Sequence, residues 1–172
     1  MMVYVFRHGE AAQAKNKQKS RRRIKDEPYL TSDGKLWVKR VVSNASKELG
    51  FKPDIIVSSP LARARETAEI ARQVLRLKTE VQVEESLEGE RKVEEVYQTL
   101  RNLKRTDHVA LVSHQPLVKN LVSDLTGGDS KVWVYVGGIA CIQCTKHFPG
   151  HARGTLVWLH PPLQWYKDRK WP

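Results

Sequence analysis

Asp54-Ile55-Ile56-Val57-Ser58 is an apolar run that passes through Ser59-Pro60 into a stretch where Leu61, Ala64, Ala68, Ala71 and Leu75 recur at helical spacing. The first part reads as a buried strand and the second as a helix with one apolar face. Ser59-Pro60 reads as an N-cap followed by proline at the first helical position. The same pairing recurs on either side. Upstream, Val3-Tyr4-Val5-Phe6 is a strand, and Leu36, Val41, Ala45 and Leu49 share a helical face that Gly50 and Pro53 close. Downstream come a short strand near Glu80 to Val83 and an acidic loop from Glu84 to Glu90. A helix on Val93, Val96, Tyr97, Leu100 and Leu103 comes next, then a strand at Val109-Ala110-Leu111-Val112. Pro116 opens a further helix on Leu117, Leu121 and Leu125, which Gly127-Gly128 ends. Residues 138–145 and 155–159 read as a closing hairpin around Phe148-Pro149-Gly150. Strand–helix alternation of this kind predicts an α/β fold: a three-layer αβα sandwich, its central sheet mostly parallel, with helices on both faces.

The chain has 172 residues and a mass of 19.8 kDa, enough for one domain over 1–172 and too little for two well-cored ones. With 40% of its residues apolar, it is not a disordered chain. No apolar run approaches the roughly 18 residues of a membrane helix. The run at the amino end meets Arg7 and His8 too early for a signal peptide. Two cysteines make no disulfide framework. The expectation is a soluble, cytoplasmic protein.

Its charge is concentrated. Lys15, Lys17, Lys19, Arg21, Arg22, Arg23 and Lys25 lie within a basic loop, 15–25, that holds no acid; without them the net charge falls from +11 to +4. Three readings compete: a solvated loop, a lip that draws in an anionic substrate, and a nucleic-acid arm. No aromatic residue interleaves with the cations and no nucleic-acid motif accompanies them, which disfavours the last.

The residues just past the strands carry the chemistry. The first strand runs into Arg7-His8-Gly9-Glu10, the second into Ser58-Ser59-Pro60 and then Arg63, and the strand at 109–112 into Ser113-His114-Gln115-Pro116. Ligands of open α/β sheets bind beyond the carboxyl ends of the strands. Each residue alone is weak evidence, since a lone histidine at a strand end is usually a hydrogen-bonded surface group. Arg63 is also a cation near the positive end of a helix, a conflict that a bound anion removes. Together, two histidines and two arginines converging on one crevice can do phosphoryl chemistry. The guanidinium groups clamp phosphoryl oxygens, a neutral imidazole attacks phosphorus, and a second, protonated imidazole stabilises the charge. Such a site draws its positive charge from side chains and calls for no metal or other cofactor.

These motifs as a set resemble the histidine phosphatase superfamily, the phosphoglycerate-mutase-like enzymes. Arg7-His8-Gly9 is similar to the family signature, and Leu30-Thr31-Ser32-Asp33-Gly34 to its Leu-Thr-x-x-Gly element. Ser58 to Ala68 resembles its second motif, and Ser113-His114-Gln115-Pro116-Leu117 its last. The resemblance spans residue 3 to about residue 125 in the family's order. It implies a phosphoglycerate mutase-like fold and a phosphatase working through a phosphohistidine on His8. Arg7 and Arg63 would hold the phosphoryl oxygens and His114 would complete the pocket. The short length and the His-Gly-Glu-Ala opening look most like the SixA-type phosphohistidine phosphatases. That implies a phosphorylated protein as the partner, with a small phosphorylated molecule as the alternative substrate. A non-catalytic binding module using the basic loop is the reading from another class.

Two departures stand out. Mutase-type members carry an asparagine where this chain has Ala14, which counts against a sugar-phosphate mutase. The basic loop is also longer than the small branch needs, so it is expected to form a lip over the pocket. The family places a glutamate after the third strand as proton donor, and Glu88 is chosen over Glu85. The alternative is that Glu84, Glu85, Glu88 and Glu90 form a solvated acidic loop. A phosphohistidine protonated on its other ring nitrogen leaves as neutral imidazole, so a weak donor favours P–N over P–O substrates.

Cys141, Cys144, His147 and His151 have a spacing that could suggest zinc. Cysteines three apart on a strand point to opposite faces, so core cysteines are the expectation. His108 and His160 read as strand-end residues without a role. The aromatic tail, 160–172, with Trp165, Tyr166 and Trp171, is read as packing back on the domain, with a homodimer contact as the alternative.

Overall fold

A computed structural model describes residues 1–12, 28–103, 106–128, 132–145 and 151–162. The basic loop 15–25, Ala14, His147, the hairpin turn at Phe148-Pro149-Gly150 and the tail from residue 163 onward lie outside the described residues.

The elements run β1 (Met2–Arg7), α1 (Ser32–Glu48), β2 (Ile55–Ser58), α2 (Ala62–Leu75), β3 (Gln82–Val83), a 3-10 turn (Glu85–Leu87), α3 (Val93–Asn102), β4 (His108–Ser113), α4 (Leu117–Leu125), β5 (Ile139–Cys144) and β6 (Gly154–His160). They build a six-stranded sheet of order β3-β2-β4-β1-β5-β6. The first three junctions are parallel, and β5 and β6 add on antiparallel. This is the expected three-layer α/β architecture with a mostly parallel sheet and a closing hairpin. Among the described residues no helix is long and apolar enough to cross a membrane.

Side chains alternate across the sheet, so each strand feeds two cores. Val3, Val5, Val109 and Leu111 meet Val96, Leu100, Leu117, Leu121 and Leu125 of α3 and α4 on one face. Tyr4, Phe6, Ala110 and Val112 meet Val38, Val41, Val42 and Ala45 of α1 and Ala64, Ala68 and Ala71 of α2 on the other. Cys141 belongs to the second core and Cys144 to the first, on opposite faces as expected for core cysteines.

Two details differ from the sequence reading. The buried face of α1 is Val38-Val41-Val42-Ala45, while Leu36 and Leu49 stand exposed. Leu36 and Val41 are five apart, too far round a helix of 3.6 residues per turn to share a narrow stripe. Ser59-Pro60 also does not cap α2. The helix begins at Ala62 behind Leu61, whose apolar side chain makes no cap, while the Ser59 hydroxyl accepts from Leu61 N–H at 3.4 Å and pairs with His114 at 2.9 Å.

Candidate active site

β2, β4 and β1 are neighbours and parallel, so their carboxyl ends share one edge of the sheet. The register sets Arg7 level with Ser113, and Ser58 level with Val112. The ladder runs one step further, with His8 N–H donating to Ser113 O at 3.0 Å and Ser59 N–H to Val112 O at 3.0 Å. Strand spacing of about 4.8 Å then brings His8, His114 and Ser59 into one row.

His8 Nδ1 lies 2.7 Å from Gly9 O. A carbonyl only accepts, so Nδ1 carries the proton and Nε2 keeps its lone pair. Arg63, in the first turn of α2, donates from Nε to that Nε2 at 3.3 Å. Burial lowers the His8 pKa to about 4. The Gly9 carbonyl pulls the other way, and Arg63 and Arg7 add to the depression.

His114 is 3% exposed, and its ring centroid is 4.9 Å from that of His8. Its Nε2 pairs with Ser59 Oγ at 2.9 Å. Burial first, then Arg63, His8 and Arg7, push its pKa down to about 2. With these neighbours both imidazoles are neutral at pH 7, so the expected second imidazolium forms only when negative charge arrives beside it. Arg7 donates from Nη1 to Val134 O at 3.3 Å, and burial lowers its pKa. Arg7 Nε and His114 Nδ1 are buried with no hydrogen-bond partner among the described residues. Buried polar groups are usually satisfied, and two such atoms beside His8 are suited to a polar ligand.

Several supports were not singled out from sequence. Thr67 Oγ1 accepts from Gly9 N–H at 3.0 Å and donates to Arg63 O at 2.7 Å, tying the β1 loop to α2. Glu66 accepts from Leu30 N–H at 2.7 Å and pairs with Lys35 at 2.7 Å, binding α2 to the start of α1. Thr31 caps α1 by accepting from Gly34 N–H at 2.8 Å. Gly34 packs on the Glu10 carbonyl so closely that a Cβ would collide with it. The Leu30-Thr31-Ser32-Asp33-Gly34 element therefore buttresses the loop behind His8. The sequence signal for these residues was their place inside the family-like motifs.

Glu88 comes directly after the 3-10 turn and precedes Gly89, where a Cβ would lie 2.9 Å from Gln115 O and 3.2 Å from His114 Cβ. The acidic loop thus packs against His114. Arg91 gathers carboxylates of this loop and of α3, lying 4.0 Å from Glu88, 3.2 Å from Glu85 and 3.3 Å from Glu95. The Glu88 side chain is 39% exposed. His108 pairs with the Tyr4 hydroxyl at 3.2 Å, and His160 with the Pro161 carbonyl at 2.7 Å.

No curated protein sequence matches the chain. Among solved structures, the protein histidine phosphatase SixA complexed with tungstate is similar over 96% of this chain and 99% of its own, at 24% identity and a TM-score of 0.78. The alpha-ribazole phosphatase from Shigella flexneri is similar over 93% and 96%, at 18% identity and a TM-score of 0.68. The phosphoserine phosphatase from Entamoeba histolytica, in complex with 3-phosphoglyceric acid, is similar over 92% and 96%, at 16% identity and a TM-score of 0.61. These likenesses speak to the fold, and the sequence speaks to the family. Residues 3–89, just over half of the chain, match the model of the histidine phosphatase superfamily (branch 1), so the chain is a phosphatase that belongs to that superfamily.

Proposed function

We propose that the chain is a protein phosphohistidine phosphatase that works through a phosphohistidine on His8. The observation that carries the reading is the fixed tautomer of His8, whose Nδ1–H is tied to Gly9 O while Nε2 points its lone pair at the Arg63 side. That geometry suits in-line attack. Arg7 and Arg63 hold the phosphoryl oxygens, and His114 adds charge as the dianion raises its pKa. Nε2 forms the new P–N bond as the bond to the leaving group breaks, and the leaving atom takes the electron pair. Water then attacks phospho-His8, releasing phosphate and restoring the lone pair. The charge on phosphorus is met by side chains of this chain alone.

A phosphohistidine substrate is favoured over a phosphomonoester by the state of the acidic loop. Glu88, the proposed donor, is partly exposed and engaged by Arg91 in an ion pair at 4.0 Å, so no buried acid stands ready in this loop. An alkoxide needs a proton to leave, and a neutral imidazole does not. The protein named SixA, on which this fold superposes, is a histidine phosphatase. The partner on this reading is a phosphorylated cytoplasmic protein, and a small phosphorylated molecule is the alternative.

The test compares hydrolysis of a phosphohistidine peptide and of p-nitrophenyl phosphate, in EDTA, by the wild type and by His8→Ala. Turnover of the peptide in EDTA by the wild type, abolished in His8→Ala, is the expected result. Faster turnover of the ester would move the substrate to a phosphomonoester, and full activity in His8→Ala would sink the covalent route.

A further inference from the structure

The segment after α4 returns to the site and is pinned there. Val134 O accepts from Arg7 Nη1 and from Gln115 Nε2, each at 3.3 Å, and the Val134 side chain is buried in the core. Gly137 N–H donates to Arg7 O and His8 O. Between these anchors and solvent stands Trp133. Its ring centroid is 6.0 Å from the Arg7 guanidinium carbon, and 45% of the residue is exposed. A half-exposed indole beside an arginine of an anion pocket is a flat apolar wall held in a fixed place.

We infer that Trp133 is a specificity-determining residue that lies against the leaving group and favours flat, ring-bearing leaving groups over aliphatic ones. The inference deepens the proposed function and rests on it for the phosphoryl group being held by Arg7. With phosphorus bound there and His8 Nε2 attacking from one side, the leaving group departs on the opposite side, where it would lie against the half-exposed indole beside Arg7. The imidazole of a phosphohistidine is such a flat group, and a serine side chain is not. Stacking on an indole adds to the binding of the first and little to that of the second.

The test measures kcat/KM for phenyl phosphate and for glycerol phosphate in the wild type, in Trp133→Leu, which keeps apolar bulk, and in Trp133→Phe, which keeps a ring. Intrinsic reactivity differs between the two esters but cancels when their ratio is compared across variants, as does any common effect through Arg7. The ratio should fall roughly three- to ten-fold in Trp133→Leu and stay near the wild-type value in Trp133→Phe. Calorimetry with phenylphosphonate and methylphosphonate should show the same shift in the ratio of Kd values without turnover. An unmoved ratio in both measurements overturns the inference. A phosphohistidine peptide in the same assay separates the two readings. If the wild type ignores it while the ratio moves, the protein substrate fails and the role of Trp133 stands. If it is hydrolysed and the ratio does not move, only the role of Trp133 fails.

Discussion

Arg63 sits in the first turn of α2, where the helix dipole disfavours a cation, yet its Nε–H is spent on the lone pair of His8. The same contact helps hold His8 neutral, with a pKa near 4. On the proposed route, Nε2 protonated below that value cannot attack phosphorus, and above it only the Arg63 N–H shares the lone pair. The acid limb of the pH–kcat/KM profile is therefore expected near pH 4, well below the ordinary histidine value of about 6.5. Arg63→Gln removes one of the charges that depress it. Besides a large loss of kcat/KM, the residual activity should show its acid limb moved upward. A limb near 6.5 in the wild type would mean that His8 is not the titrating nucleophile. At this scale the sequence was informative about identity and silent about state. The motifs named His8, Arg7, Arg63 and His114. Neutrality of His114 came from burial and from three neighbouring groups that only the fold assembles.

At the scale of elements, the loop after β1 is held from two sides. Thr67 reaches it from α2, and Gly34 lets the first turn of α1 lie against Glu10. Thr67→Val leaves the Gly9 N–H buried without its acceptor, so it should lower stability by about 1–3 kcal/mol, read from urea denaturation. Gly34→Ala pushes a methyl into the Glu10 carbonyl. It should lower stability by roughly 1–3 kcal/mol and reduce kcat by displacing His8, whereas Gly50→Ala, with open space around it, should leave kcat alone. Equal kcat values for the two glycine variants would refute the buttress. Strand–helix alternation was legible because buried strands and one-faced helices leave distinct periods. The start of α2 was not legible, since Ser59-Pro60 carries the composition of a cap while its hydroxyl serves His114. Arg91 was missed for a similar reason. Its spacing from Glu88 and Glu95 fits any solvated helix turn, and only the packed loop turns it into a hub.

For the whole molecule, two buried neutral histidines make folding depend on pH. Their folded pKa values, about 4 and about 2, lie below the unfolded value. The unfolded chain therefore binds protons first as pH falls, and stability is lost from about pH 6.5 downward. Each imidazole should contribute about 2 kcal/mol to the loss between pH 7 and pH 5. Urea midpoints at the two pH values check this, and His114→Gln should flatten the dependence. An equal midpoint at pH 5 and pH 7 would contradict it. The order of the sheet was not legible in the sequence, because no local pattern states that β4 inserts between β1 and β2.

That insertion has a consequence for how the chain comes to life. β1 and β2 are made early and share no edge; each waits for β4, which arrives much later in the sequence. A growing or truncated chain that stops short of His108 holds two apolar strands with their hydrogen-bonding edges open, the condition in which chains stick to one another. It also holds His8 without His114. Nascent protein is thus both adhesive and inert until the same event, the sliding of β4 between its neighbours, joins β1 to β2 and completes the row of histidines. Turnover in this protein is a report that the long-range pairings of β4 have closed.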